Sequence, residues 1–172
     1  MDSALLRRRI SSYIFLFIPG VMLASWVTRT PAIRDHLGAS TAEMGLLLFG
    51  VSIGSMSGVL SSAPLVRRFG TRRVIACGLT VMLAGTALVA AGAGLSREPI
   101  VFLGLLLFGL GIGSAEVAIN VEGADIERLA QAPVLVELHG SFSAGTLVGA
   151  LLGIALTALD FPVTLHLAAV VA

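Results

Sequence analysis

Apolar residues in this chain come in long blocks separated by short polar stretches. A helix that crosses a membrane needs roughly 20 predominantly apolar residues. On that measure the pattern predicts spans at residues 10–27, 44–66, 74–95, 100–121 and 139–159, and residues 162–172 begin a sixth. The stretches between them carry turn and cap chemistry. Ser40-Thr41-Ala42-Glu43 has the form of a capping box opening the second span. Phe69-Gly70-Thr71 is a tight turn between two arginine pairs, and Ser96-Arg97-Glu98-Pro99 is a polar turn with proline placed for a helix start. The longest connector, residues 122–137, carries Asp125, Glu127, Arg128 and Pro133 and reads as a short surface helix followed by a loop.

Composition agrees with lipid as the solvent. The chain is 56% hydrophobic and 12% charged, against about 25% charged for a typical soluble domain. The expected fold is therefore all-α and membrane-embedded, with the bilayer as its first partner. Arg7-Arg8-Arg9 ahead of an apolar run ending at Ala24-Ser25 has the form of a secretory leader. Four more apolar blocks follow, which favours a first span. A net charge of +1 gives no reason to expect nucleic acid. Cys77 is the single cysteine, so no intrachain disulfide can form, and no metal-ligand cluster appears. No cofactor is expected. Gly109-Leu110-Gly111-Ile112-Gly113 fails the dinucleotide pattern at Ser114, and no strand precedes it. No nucleophile triad is visible, so the reading is not an enzyme.

The arginines bear on orientation. Arg7, Arg8, Arg9, Arg67, Arg68, Arg72, Arg73 and Arg128 fall on the side of the N-terminus, and Arg29, Arg34 and Arg97 on the other. This distribution predicts a cytoplasmic N-terminus. Glycines bear on packing. Gly50, Gly54 and Gly58 recur every fourth residue on the second span, and Gly145, Gly149 and Gly153 do so on the fifth. Such stripes let another helix approach closely. Two spans three apart in order cross in opposite directions, as an inverted three-helix repeat requires.

The loop Leu65-Val66-Arg67-Arg68-Phe69-Gly70-Thr71-Arg72-Arg73 resembles the signature of the major facilitator superfamily. Arg68, Gly70, Arg72 and Arg73 match it. Arg67 stands where the family usually has an aspartate, Ala63 where it has the first glycine, and Thr71 where a basic residue is common. Residues 26–33, 120–123 and 139–143 are similar to an uncharacterised bacterial branch of that superfamily. The resemblance implies the N-terminal helices of a twelve-helix transporter: five spans and the start of a sixth, read as a fragment or a truncated gene product. It implies a bacterial cytoplasmic (inner) membrane, a small-molecule solute, and a missing C-terminal half as partner. It also implies secondary transport by alternating access, with coupling to protons as one form of it. The alternative is a non-transporting small membrane protein, or a half-size unit that oligomerises. In the family the second and fifth helices face the other half, so the resemblance implies that both glycine stripes point toward it and stand exposed in this chain.

Candidate chemistry centres on Glu116. At 1.5 Å per residue it lies about 8 Å from the middle of its span. A carboxylate there costs on the order of 3 kcal/mol on insertion scales, and the thirteen Leu, Ile, Val and Phe residues of the span offset it by about 0.4 kcal/mol each. Gly109, Gly113, Glu116 and Asn120 share a helix face. Glu116 reads as a proton-coupling or substrate-binding carboxylate, or as a structural partner for an arginine such as Arg67 or Arg68. Arg29 reads as an anion binder or as an interfacial arginine reaching headgroups, Trp26 as an interface anchor or a stacking ring, and Tyr13 and Phe17 as cavity-lining or lipid-facing. His139, at the opening of the fifth span, reads as a group titrating near neutrality or as a polar helix end.

Overall fold

The computed structural model describes residues 3–172, and no strand occurs among them. The helices are α1 (Ser3–Thr28), α2 (Thr30–Leu37), α3 (Thr41–Phe69), α4 (Thr71–Gly94), α5 (Glu98–Ala130), α6 (Val134–Ala158) and α7 (Val163–Val171). Five of them, α1, α3, α4, α5 and α6, are long and apolar enough to cross a membrane. Leu46, Leu60, Val136 and Leu151 are among many large apolar side chains left more than half exposed. A water-soluble surface rarely carries so much contiguous apolar area; a lipid-facing one requires it.

Local chemistry sets the ends. Ser40 and Glu43 form the capping box: the Glu43 amide donates to Ser40 Oγ, and the Ser40 amide donates to the Glu43 carboxylate at 2.8 Å. Gly70 is the single residue between α3 and α4, and its φ of 81° is one that L side chains rarely adopt. The chain thus reverses across the membrane in one residue. The connector after the fourth span differs from the sequence expectation. Residues 122–130 continue α5 without a break. At 1.5 Å per residue its 33 residues run about 50 Å, well past a hydrocarbon core of about 30 Å. The loop shrinks to three residues, and Glu127 accepts from the Leu135 amide at 3.0 Å, capping the next helix. His139 therefore sits inside α6.

Packing is organised by glycine. A Cβ on Gly54 would lie 2.0 Å from the Leu106 carbonyl oxygen, and one on Gly58 2.4 Å from that of Leu110. One on Gly145 would lie 2.2 Å from the Phe17 carbonyl oxygen, and one on Gly149 2.4 Å from that of Val21. Gly50 meets Phe102 and Gly153 meets Thr28. Both stripes are buried, α3 against α5 and α6 against α1. This overturns the expectation that they stand exposed and point away from the chain: the backbone contact they permit is consumed inside the five-helix group. The pairing also exchanges the two halves of the repeat, since each stripe packs on the first helix of the other triplet. Gly20 on α1 and Gly109 on α5 complete the contacts from the opposite side, meeting Phe142 and Val51.

A third glycine interface joins α4 to α5. Gly78 abuts Gly111, Gly85 abuts Gly104 and Phe108, and Gly92 abuts Val101. Its period is seven residues, twice the spacing of a helical turn, in place of the every-fourth-residue stripes of α3 and α6. The chain consequently packs as two units. One is α3, α4 and α5, with α7 laid on α4; the other is α1 with α6. The seam between them is lined by α1, α5 and α6, with apolar clusters around Trp26 and Phe108 toward one end and around Leu16, Ile119 and Leu138 toward the other.

Candidate functional site

Glu116 lies on this seam. It lines a small cleft of about 30 Å³ together with Leu16 and Pro19 of α1, Ile112, Ala115 and Ile119 of α5, and His139 and Phe142 of α6. That is room for a water or two. Glu116 is exposed and makes no hydrogen bond or ion pair among the described residues. It is partnered neither with Arg67 nor with Arg68. His139 shares the cleft, and its Nδ1 sits 2.9 Å from the Leu135 carbonyl oxygen. Where Nδ1 carries the proton, Nε2 is left as the free acceptor. Asn120, one turn beyond Glu116, has a buried Oδ1 with no partner. An unsatisfied buried acceptor is costly unless a ligand or water meets it.

Two other candidates go elsewhere. Arg29 is only 4% exposed. Its Nη1 donates to Thr157 Oγ1 at 2.9 Å and its Nη2 to the Phe161 carbonyl oxygen. It therefore ties the end of α1 to the end of α6 and the turn before α7, and reaches neither headgroups nor the Glu116 cleft. Trp26 is buried edge-on against Phe108, with centroids 5.6 Å apart and planes at 80°. It is a core residue rather than a surface anchor. Phe17 lends its backbone to Gly145.

A polar network that no motif in the sequence marks lies at the end of the bundle that holds the N-terminus. Arg8 donates to Glu122 at 2.8 Å and to Asp125 at 2.7 Å, and Arg128 donates to Asp125 at 2.7 Å. Thr71 Oγ1 donates to the second Glu122 oxygen at 2.8 Å, so one carboxylate joins α1, α4 and α5. Beside it, Arg9 and the Tyr13 hydroxyl both donate to Glu137, and Arg9 also donates to Tyr13. Tyr13 thereby serves a structural contact. On the part of α5 beyond the apolar span, Arg128 and then Arg8 hold the Asp125 carboxyl below the usual carboxylate range. The available signal was the run of carboxylates after residue 121 opposite the N-terminal arginines. In the loop motif, Gly70 makes the turn, Arg68 stacks over Phe69 at 5.3 Å, and Arg72 and Arg73 are exposed.

Comparison with known proteins adds the family. The model described as Major Facilitator Superfamily matches residues 9–172. An uncharacterized MFS-type transporter of Yersinia pestis is 29% identical over 83% of this chain and 36% of its own length. An uncharacterized transporter of Sinorhizobium fredii is 31% identical over 86% of this chain and 38% of its own length. A 4-hydroxybenzoate transporter of Pseudomonas putida is 28% identical over 68% and 26%. The chain thus spans between about a quarter and two fifths of these relatives. No solved structure matches it.

Proposed function

The chain belongs to the major facilitator superfamily, and we propose that the protein moves a small solute across the membrane by alternating access, with Glu116 carrying the coupled proton. The supporting observation is a carboxylate without a partner in a cleft otherwise formed by apolar side chains and one imidazole. A charged group at this depth is costly and marks an ion or proton path more often than a structural site. A cleft sized for water allows the proton to arrive and leave. His139 and Asn120 supply a second titratable group and a free acceptor close to Glu116. The chain alone holds one wall of such a site, and the opposite wall belongs to the C-terminal half of the whole protein.

The arginine asymmetry supports a cytoplasmic N-terminus in a bacterial inner membrane. Single cysteines at Thr71 and Ser96 in a Cys77→Ala background test it: Ser96→Cys should be labelled from outside intact cells and Thr71→Cys should not. The reverse result overturns the orientation.

The Pseudomonas relative carries an aromatic carboxylate by name, which makes 4-hydroxybenzoate the first solute to try. His139 is the one cationisable side chain on the cleft to receive a carboxylate. The experiment is uptake by the full-length protein in proteoliposomes, with and without a proton gradient. Glu116→Gln should reduce gradient-driven accumulation to the gradient-free level while exchange persists. Unchanged accumulation by the variant would sink the proposal.

A further inference from the structure

Charge is distributed unequally at the end of the bundle that holds the N-terminus. Arg8, Arg9 and Arg128 are each paired with a carboxylate. Arg7 on α1 and the four arginines flanking the α3–α4 turn, Arg67, Arg68, Arg72 and Arg73, are exposed and form no ion pair among the described residues. Directly below these last four α3 and α4 diverge. Their wedge forms an open groove of about 460 Å³, walled by Ser61, Leu65 and Phe69 of α3 and by Val74, Cys77 and Val81 of α4. Leu110 and Ser114 of α5 make its floor, and Arg73 stands at its mouth. From Arg73 to Val81 the groove runs about 12 Å at 1.5 Å per residue, close to the roughly 15 Å that one leaflet's acyl chains occupy.

We infer that this groove seats one anionic phospholipid, with an acyl chain between α3 and α4 and the phosphate on Arg73 and its neighbouring arginines. An apolar slot of leaflet depth with an unneutralised cationic mouth matches both parts of such a molecule. Basic residues beside a span attract anionic headgroups and favour neutral ones much less. The groove's walls are almost wholly apolar and open outward, a surface that a lipid chain fills more favourably than water does.

Native mass spectrometry of the purified chain, loaded with equal amounts of phosphatidylglycerol and phosphatidylcholine, tests this. One phosphatidylglycerol should be retained in preference, and Arg73→Gln should lower that preference by about fivefold. Arg73 is exposed, so the variant should fold, and its helicity checks this. Cys77→Trp, which fills the groove, should cut retention of the preferred lipid. Cys77 also reports directly: phosphatidylglycerol should slow its alkylation by N-ethylmaleimide in detergent, and soluble glycerol phosphate should not. Equal retention of the two lipids, an unchanged preference in Arg73→Gln, or undiminished retention in Cys77→Trp would each overturn the assignment. Protection by glycerol phosphate would also overturn it, assigning the arginines to a soluble anion.

Discussion

The interfaces within the two packed units and the seam between those units are built on opposite principles. Within α3–α4–α5 and within α1–α6, glycines bring backbones so close that a single added carbon would collide with a carbonyl oxygen. Lipid tails are as apolar as leucine, so no hydrophobic gain drives two spans together, and close van der Waals approach supplies the attraction. Along the seam, side chains do the joining: Arg8 of α1 to Glu122 and Asp125 of α5 at one end, and Arg29 after α1 to the Phe161 carbonyl oxygen in the turn that leads to α7 at the other. Glu116 lies between these fastenings, where no glycine closes the gap. Tight interfaces are the places where chemistry is excluded, and the looser one is where a polar side chain finds water.

The difference can be broken at its tight side first. Gly54→Leu and Gly149→Leu each drive a side chain into a backbone, and overpacking of this kind costs typically 1–3 kcal/mol or more. Both should lower the unfolding midpoint of the chain in detergent. Leu46→Ala, at an exposed position, should leave it nearly unchanged. Midpoints unaffected by the glycine variants would return the stripes to an exposed face.

Arg29 comes next. It is buried, and its two charge-assisted hydrogen bonds fasten α1 to α6 and the following turn. Removing such bonds costs about 1.5–3 kcal/mol, and Arg29→Gln should also speed proteolysis at residues 159–162. A variant as stable and as protease-resistant as the parent would contradict this role. At the opposite end, Arg8→Gln breaks partly exposed pairs, which contribute at most about 1 kcal/mol. Its effect should fade at high salt, whereas that of Arg29→Gln should not.

The smallest effect concerns pH. The Asp125 carboxyl is held below its unfolded value, so its contribution is present above that value, about 4, and disappears as pH falls through the lower folded one. Asp125→Asn should slightly reduce stability at neutral pH and flatten its decline in acid. An acid profile identical to the parent's would remove Asp125 from the account.

Much of the fold was legible because apolar blocks of spanning length leave few alternatives, and because Ser40, Glu43 and Gly70 carry their local geometry with them. The partners of the glycine stripes were not legible. A stripe at positions 50, 54 and 58 says that one helix face is flat and leaves its neighbour undetermined, which depends on the whole arrangement. The interface through Gly78, Gly85 and Gly92 was hidden by its seven-residue period. Residues 122–130 looked like a connector because a helix that outruns the bilayer loses the apolar pattern that marks a span. Glu116 was conspicuous from its position alone, but its lack of a partner follows from where α1 and α6 lie. Arg29 looked interfacial because nothing local shows that the turn before α7 folds over it.

The central requirement is that Glu116 stand in a water-accessible cleft between two tightly packed units. The direct measurement is the reaction of single cysteines with a membrane-impermeant thiol reagent, in a Cys77→Ala background with the chain in nanodiscs. Glu116→Cys, in the cleft, is compared with Ser25→Cys, which is fully buried, and Leu103→Cys, which is exposed on the apolar surface. Glu116→Cys should react far faster than either. A Glu116→Cys as inert as the other two would place residue 116 in a dry environment and contradict it.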